Sequence, residues 1–361
     1  MAARLDSFLT VVVDQGASDL HFHSGSPPLI RHDGDLIALP FRSLSPDEAW
    51  RFLDEVMTPA ARESLETKQD ADFVYVMPGV GRFRVNVFRQ IHGVGAVFRV
   101  IPEQPPRLAN LLLPAAIARI TELHNGLVVV TGPTGSGKST TLAAIVNEIN
   151  MRQSRHIISI EDPIEFVHRS QQSIVTQRQV GEHAESFASA LRSALREAPD
   201  VVVVGELRDL ETMQLALQAA ETGVLVFGTL HTGSAGKAVD RILDMVPEEA
   251  RDQARTVLAV LLRAVIAQNL CRAASGEGRV LISELLLQNL SVSTMIREDK
   301  IHMIDGYLQT ASSDGSGSQA MDACIFRFVR DGLILEEDGV RYAAYPDQLR
   351  KLVSTIRPSE D

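Results

Sequence analysis

Three carboxylates fall within seven residues at Ile160–Phe166, which read IEDPIEF: Glu161, Asp162 and Glu165. They come shortly after the run TGPTGSGKSTT, a loop built to hold phosphate. Acids repel one another and repel phosphate, so their placement there needs a reason beyond a solvated acidic turn. The loop is Gly132-Pro133-Thr134-Gly135-Ser136-Gly137-Lys138-Ser139, which satisfies G-x-x-x-x-G-K-[ST] at every fixed position. Its glycines let backbone N–H groups face a phosphate, and the start of the helix that follows adds positive potential. In this arrangement Lys138 reaches the β- and γ-phosphates of ATP, Ser139 holds Mg²⁺, and Thr140 stands beside it on the helix.

Further side chains point to hydrolysis. PDVVVVGELRD (199–209) places Glu206 directly after four valines and a glycine, at the carboxyl end of a strand, where a carboxylate orients Mg²⁺ and its waters. HIISI precedes the acidic cluster and reads as a strand, so that cluster also sits at a strand end. Hydrolysis needs a group that positions and deprotonates water, and Glu165 is assigned that role. Pro163 fixes the turn, leaving Glu161 and Asp162 to organise the site or pair with arginines. GTLHT (228–232) brings Thr229 and His231 to the same edge, where His231 can hydrogen-bond the γ-phosphate. GRFRVNVFRQIHGVGAVFRV places Arg82, Arg84, Arg89 and Arg99 in β-alternation, either as a solvated strand face or as arginines reaching a nucleotide in another subunit.

The elements that must hold these groups change character along the chain. MAARLDSFLTVVVDQ reads as an amphipathic helix rather than a signal peptide. SPDEAWRFLDEVMTPAARESLET (45–67) has an N-cap and helical spacing of Ala49, Phe52, Leu53 and Val56. ADFVYVM, GRFRVNVFRQ and GVGAVFRVIP alternate as antiparallel strands. A proline-rich stretch near 101–108 marks a linker, giving an α+β domain over 1–101, a linker over 102–112 and a second domain over 113–361. In that second domain GLVVVTG, HIISIED, PDVVVVGEL and GVLVFGTLH are short apolar runs suited to a parallel sheet buried on both faces. Helical segments at 139–153, 184–198 and 209–222 complete the α/β alternation. Beyond about 247 the chain reads as mainly helical, and ASSDGSGSQ (311–319) as a mobile loop.

Composition sets bounds. With 361 residues, 45% hydrophobic and 22% charged, the chain is globular and long enough for more than one domain. Asp+Glu 46 against Lys+Arg 35 gives −11, which disfavours a DNA translocase and nucleic acid as a partner. Two distant cysteines, Cys271 and Cys324, exclude a CxxC zinc module and fit a reducing, cytoplasmic compartment. VLAVLLRAVIAQNL (257–270) is interrupted by Arg263 and falls short of the ~20 apolar residues of a spanning helix, so direct membrane insertion is not expected.

Together TGPTGSGKSTTLA, IEDPIEFVH, VGELRDLET and FGTLHT, with ASDLHFHSG near the start, resemble the type IV pilus retraction ATPases (the PilT/PilU family) of the secretion-type hexameric ATPases. The likeness covers nearly the whole chain. It implies a PAS-like N-terminal domain, a RecA-like P-loop ATPase domain with a mainly helical C-terminal part, and a homo-hexamer with ATP at its subunit interfaces. It also implies ATP hydrolysis with Mg²⁺ that powers pilus retraction, with Glu165 as general base, Glu206 in the Walker B element, and Arg84 and Arg99 acting in trans. An inner-membrane platform protein and a paralogous retraction ATPase are the implied partners, and the implied location is cytoplasmic, peripheral at the base of the pilus machine. The chain shows neither the extra N-terminal domain nor the tetracysteine module of assembly and type II secretion ATPases, which favours retraction. It departs from the family pattern twice: Val224 stands where the His box has its first His, and Ser293 replaces the Arg of the C-terminal AIRNLIRE element, here SVSTMIRE. These departures keep a second reading open, an accessory nucleotide-binding paralogue of low turnover that supports another motor.

Overall fold

A computed structural model describes residues 3–32, 34–102, 104–311 and 315–355. The chain divides into two compact units, Met1–Glu103 and Gln104–Asp361.

The first unit is built on six strands: β1 (Asp19–His23), β2 (Leu29–His32), β3 (Asp35–Ala38), β4 (Asp70–Met77), β5 (Gly81–Gln90) and β6 (Gly93–Ile101). They lie in the order β3-β2-β1-β6-β5-β4, every pair antiparallel. The period of two in β5 buries Phe83, Val85 and Val87 and leaves Arg84 exposed. Helices Asp6–Asp14, Pro46–Asp54 and Pro59–Lys68 supply Leu9, Leu53 and Leu65 to the core on the apolar face. The helical pattern over 45–67 is therefore two helices. Pro59 has no N–H to continue the first, and Thr58 caps the second by accepting the Ala61 amide at 3.1 Å.

The second unit holds seven strands: β7 (Gly126–Thr131), β8 (His156–Glu161), β9 (Ile174–Gln179), β10 (Val201–Val204), β11 (Leu225–Leu230), β12 (Leu262–Arg272) and β13 (Arg279–Leu287). Their order is β13-β12-β7-β11-β10-β8-β9; neighbours are parallel except the β12/β13 pair. Every residue of β7, β10 and β11 is buried, which is why these segments read as unbroken apolar runs. Helix Lys138–Arg152 packs on one face with Ile145 and Ile149, and helices Leu210–Glu221 and Ala235–Asp244 on the other with Met213 and Val239.

The expectation of a mainly helical chain beyond about 247 needs correction over part of its length. Residues 262–287 form the β12–β13 hairpin, which extends the sheet past β7; the helices follow from Leu290 onward. One apolar run spans the end of helix Arg251–Leu261 and the start of β12, so hydrophobicity alone gave no boundary. Residues 312–314 of the Ser/Gly-rich loop lie outside the described residues. Its end is pinned to β13 by reciprocal Leu285–Gln319 backbone hydrogen bonds of 2.8 Å. Among the described residues no helix is long and apolar enough to cross a membrane.

Candidate functional site

Parallel strands place their carboxyl ends at one edge. There β7 delivers the phosphate loop, β8 the acidic cluster, β10 Gly205-Glu206 and β11 Thr229 to His231.

Glycine is required where the loop packs against the neighbouring strand. Gly132 has φ 151°, and a Cβ there would lie 2.3 Å from the carbonyl oxygen of Gln268 on β12. Gly137 has φ 88° as the helix begins. Gln268 Nε2 donates to the Ser136 carbonyl at 2.8 Å, clamping the loop from the neighbouring strand. Thr131 Oγ1 accepts the Thr232 amide at 2.9 Å and so joins the loop's base to the His231 segment. Lys138 Nζ donates to the carbonyls of Gly132 at 2.9 Å and Pro133 at 3.0 Å, and lies 3.4 Å from His231 Nδ1. Burial pulls the Lys138 pKa down, and the carboxylates of Glu206 and Glu165 oppose that shift.

Glu206 links an arginine and a histidine. Arg208 Nε approaches its Oε2 at 2.7 Å, and His231 Nε2 its Oε1 at 3.3 Å. With Nδ1 facing the Lys138 ammonium, the consistent tautomer of His231 carries its proton on Nε2, toward Glu206. Arg208 also reaches Asp162 at 4.0 Å and lies over the Phe187 ring, 5.8 Å from its centroid.

The three acids of IEDPIEF thus have different surroundings. Glu161 turns inward, accepting hydrogen bonds from Ser159 Oγ and, at 3.1 Å, from Gln177 Nε2. Burial pushes its pKa up, and the nearby Glu165 charge adds to the rise. Asp162 faces Arg208. Glu165 is exposed and lines a cavity of about 80 Å³ together with Ser139, Glu206 and Thr229. The back of that cavity is apolar, with Leu142, Phe166 and Phe187. His168 also lines it; burial pushes its pKa down to about 4, so the ring is neutral at physiological pH.

Lys138, Ser139, Glu165, Glu206 and His231 therefore gather at one edge. Arg84 and Arg99 belong to the first unit, where they face each other across β5 and β6. Arg99 Nε pairs with the buried Asp19 at 2.8 Å; among the described residues no carboxylate pairs with Arg84. Arg208 and Gln268 were missed in the sequence. Arg208 had a signal, a cation two residues after the strand-end Glu206. Gln268 had a weaker one, a Gln-Asn pair in an apolar run.

The two family departures lie elsewhere. Val224 is a core residue just before β11, at the opposite end of that strand from His231. Ser293 is buried; its Oγ donates to the Ala259 carbonyl at 2.8 Å and accepts from Gln288 Nε2 at 3.0 Å.

The residues present fit a nucleotide and its metal. The loop carries glycine at 132, 135 and 137, a lysine stands at its mouth, and a hydroxyl and carboxylates share the adjoining cavity. Comparison with known proteins identifies the family. The model of the family described as type II/IV secretion system protein matches residues 1–321. A Pseudomonas aeruginosa protein named type IV pilus retraction ATPase PilT is 44% identical over 343 residues, 95% of this chain and 99% of its own length. A second protein from that organism, named type IV pilus ATPase PilU, is 36% identical over 348 residues, 96% of this chain and 91% of its own length. The crystal structure of the pilus retraction motor PilT with bound ADP superposes with a TM-score of 0.89 at 42% identity, covering 97% of this chain and 100% of that one.

Proposed function

Because the chain belongs to the type II/IV secretion system protein family, we propose that it is an ATP-hydrolysing motor that powers type IV pilus retraction. The observation that carries this reading is the convergence of Lys138, Glu165, Glu206 and His231 on one sheet edge. The backbone N–H groups of the loop from Thr134 onward face the phosphates, with Lys138 as the cation. Ser139 and Glu206 would hold Mg²⁺, which when bound neutralises charge on the β- and γ-phosphate oxygens. Glu165 takes the proton of the attacking water as the water oxygen bonds to the γ-phosphorus and the bond to the ADP oxygen breaks. His231 bridges Lys138 and Glu206, so it can register whether a γ-phosphate is present.

Arg84 and Arg99 act on the nucleotide of a neighbouring subunit in a homo-hexamer. Arg84 stands opposite Arg99 on the adjacent strand, and since Arg99 is paired with Asp19, Arg84 is the one with no carboxylate partner among the described residues, which suits it to meet an anion. The motor works in the cytoplasm at the inner-membrane base of the pilus, against a platform protein. The second reading, an accessory subunit that supports another pilus motor, is motivated by Ser293 in place of the family arginine. Neither Ser293 nor Val224 touches the nucleotide edge, and this favours the motor.

The purified full-length chain is expected to turn over ATP with Mg²⁺ while sedimenting as a hexamer. Arg84→Ala and Glu165→Gln chains, each inactive alone, are expected to recover turnover when mixed, because mixed rings contain interfaces with both residues intact. A hexamer that binds ATP without turnover selects the accessory reading. No recovery on mixing, with exchange of subunits verified, removes the action in trans.

A further inference from the structure

Glu284 on β13 is a buried carboxylate outside the site just described. The Ala235 amide donates to its Oε1 at 2.7 Å, and the Met321 amide also bonds it. These amides open two separate helices, Ala235–Asp244 and Met321–Arg330, so the carboxylate lies at the positive ends of both. The first helix continues directly from the segment holding His231 and Thr232, and Thr232 is bound to Thr131 at the base of the phosphate loop. The second begins where the Leu285–Gln319 bridge and the Gln319 Nε2 bond to the Ser283 carbonyl, 3.0 Å, fasten the C-terminal helices to β13. We propose that Glu284 is a positioning residue for hydrolysis: its one carboxylate ties the His231 segment and the C-terminal helices to the same point on β13.

Charge matters to this tie. Burial pushes the Glu284 pKa up to about 7, and the like charges of Asp305 and Asp322 contribute. Asp305 comes from helix Ile304–Ala311 and Asp322 from helix Met321–Arg330. Lys237, on helix Ala235–Asp244, is exposed, and the β12 residue opposite Glu284 is the uncharged Ala267. The ionised form holds both amides as a full anion and predominates above that pKa. Protonation below it removes the charge and weakens the tie.

The inference rests on reading His231 as the γ-phosphate contact, so the test includes that residue. Steady-state kcat and KM for ATP are measured against pH for the full-length protein, Glu284→Gln, Glu284→Asp and His231→Ala. Glu284→Gln keeps the shape but removes the negative charge that holds the two amides. It is expected to lower kcat about tenfold at about pH 8, with KM unchanged. The wild-type advantage should shrink toward unity near pH ~6, where the wild-type side chain is also neutral. Glu284→Asp keeps the charge at a shorter reach and is expected to move the acid-side midpoint of kcat; it decides the matter if the Gln variant does not fold. Wild-type kcat and pH profile in Glu284→Gln, or an unmoved midpoint in Glu284→Asp, overturn the role of Glu284. If His231→Ala is inactive in that case, the reading of His231 stands and only Glu284 fails. Full turnover by His231→Ala overturns both.

Discussion

Glu165→Gln is expected to lower ATP turnover by about 10²–10⁴-fold while leaving ATP binding in place. The amide cannot accept the water's proton, but it preserves side-chain volume. The groups that hold the phosphates, the loop amides and Lys138, are not altered. Stability should also change little, since Glu165 is exposed while its neighbour Glu161 carries the inward hydrogen bonds. The checks are single-turnover hydrolysis beside equilibrium binding of a fluorescent ATP analogue. Turnover within twofold of wild type would remove Glu165 as the base. Glu161 is a poor substitute, because burial favours its protonated form and its oxygens already accept from Ser159 and Gln177.

Lys138→Ala is expected to weaken ATP binding about a hundredfold, with turnover lost at ordinary ATP concentrations. The ammonium donates to the Gly132 and Pro133 carbonyls at 2.9 and 3.0 Å and faces His231, Glu206 and Glu165. A phosphate brought to the loop takes over those donors. The loop itself should persist in the variant, because Gln268 holds Ser136 and Thr131 holds Thr232 independently of the lysine. Titration calorimetry measures the affinity, and thermal melting checks the fold. Unchanged affinity would show that the loop amides alone bind the phosphates and would take the lysine out of the site.

The nucleotide edge could be read from sequence because its parts are local. A phosphate loop is one contiguous segment with fixed glycines, and β7, β10 and β11 are buried on both faces, so each announces itself as a short apolar run. β9 did not, since Ile174–Gln179 is a half-exposed strand at the sheet's edge and carries polar residues. β12 was hidden for the opposite reason: Leu261 ends a helix and Leu262 starts a strand with no break in hydrophobicity. Misreading that boundary concealed Gln268, whose role depends on β12 lying beside β7. It also concealed Glu284, since ISELLLQNL reads as helix until β13 is seen pairing with β12. The pairing of Arg208 with Glu206 and Asp162 needed the turn after β10 to be known in space.

The retraction claim is tested most directly by imaging labelled pili on cells of a pilus-bearing bacterium that lacks its own retraction ATPases and expresses this chain. The account predicts that retraction events and twitching return with the wild-type chain and are absent with Glu165→Gln. Wild-type protein that hydrolyses ATP in the test tube and is present in those cells, yet leaves pili extended and unretracted, would contradict it.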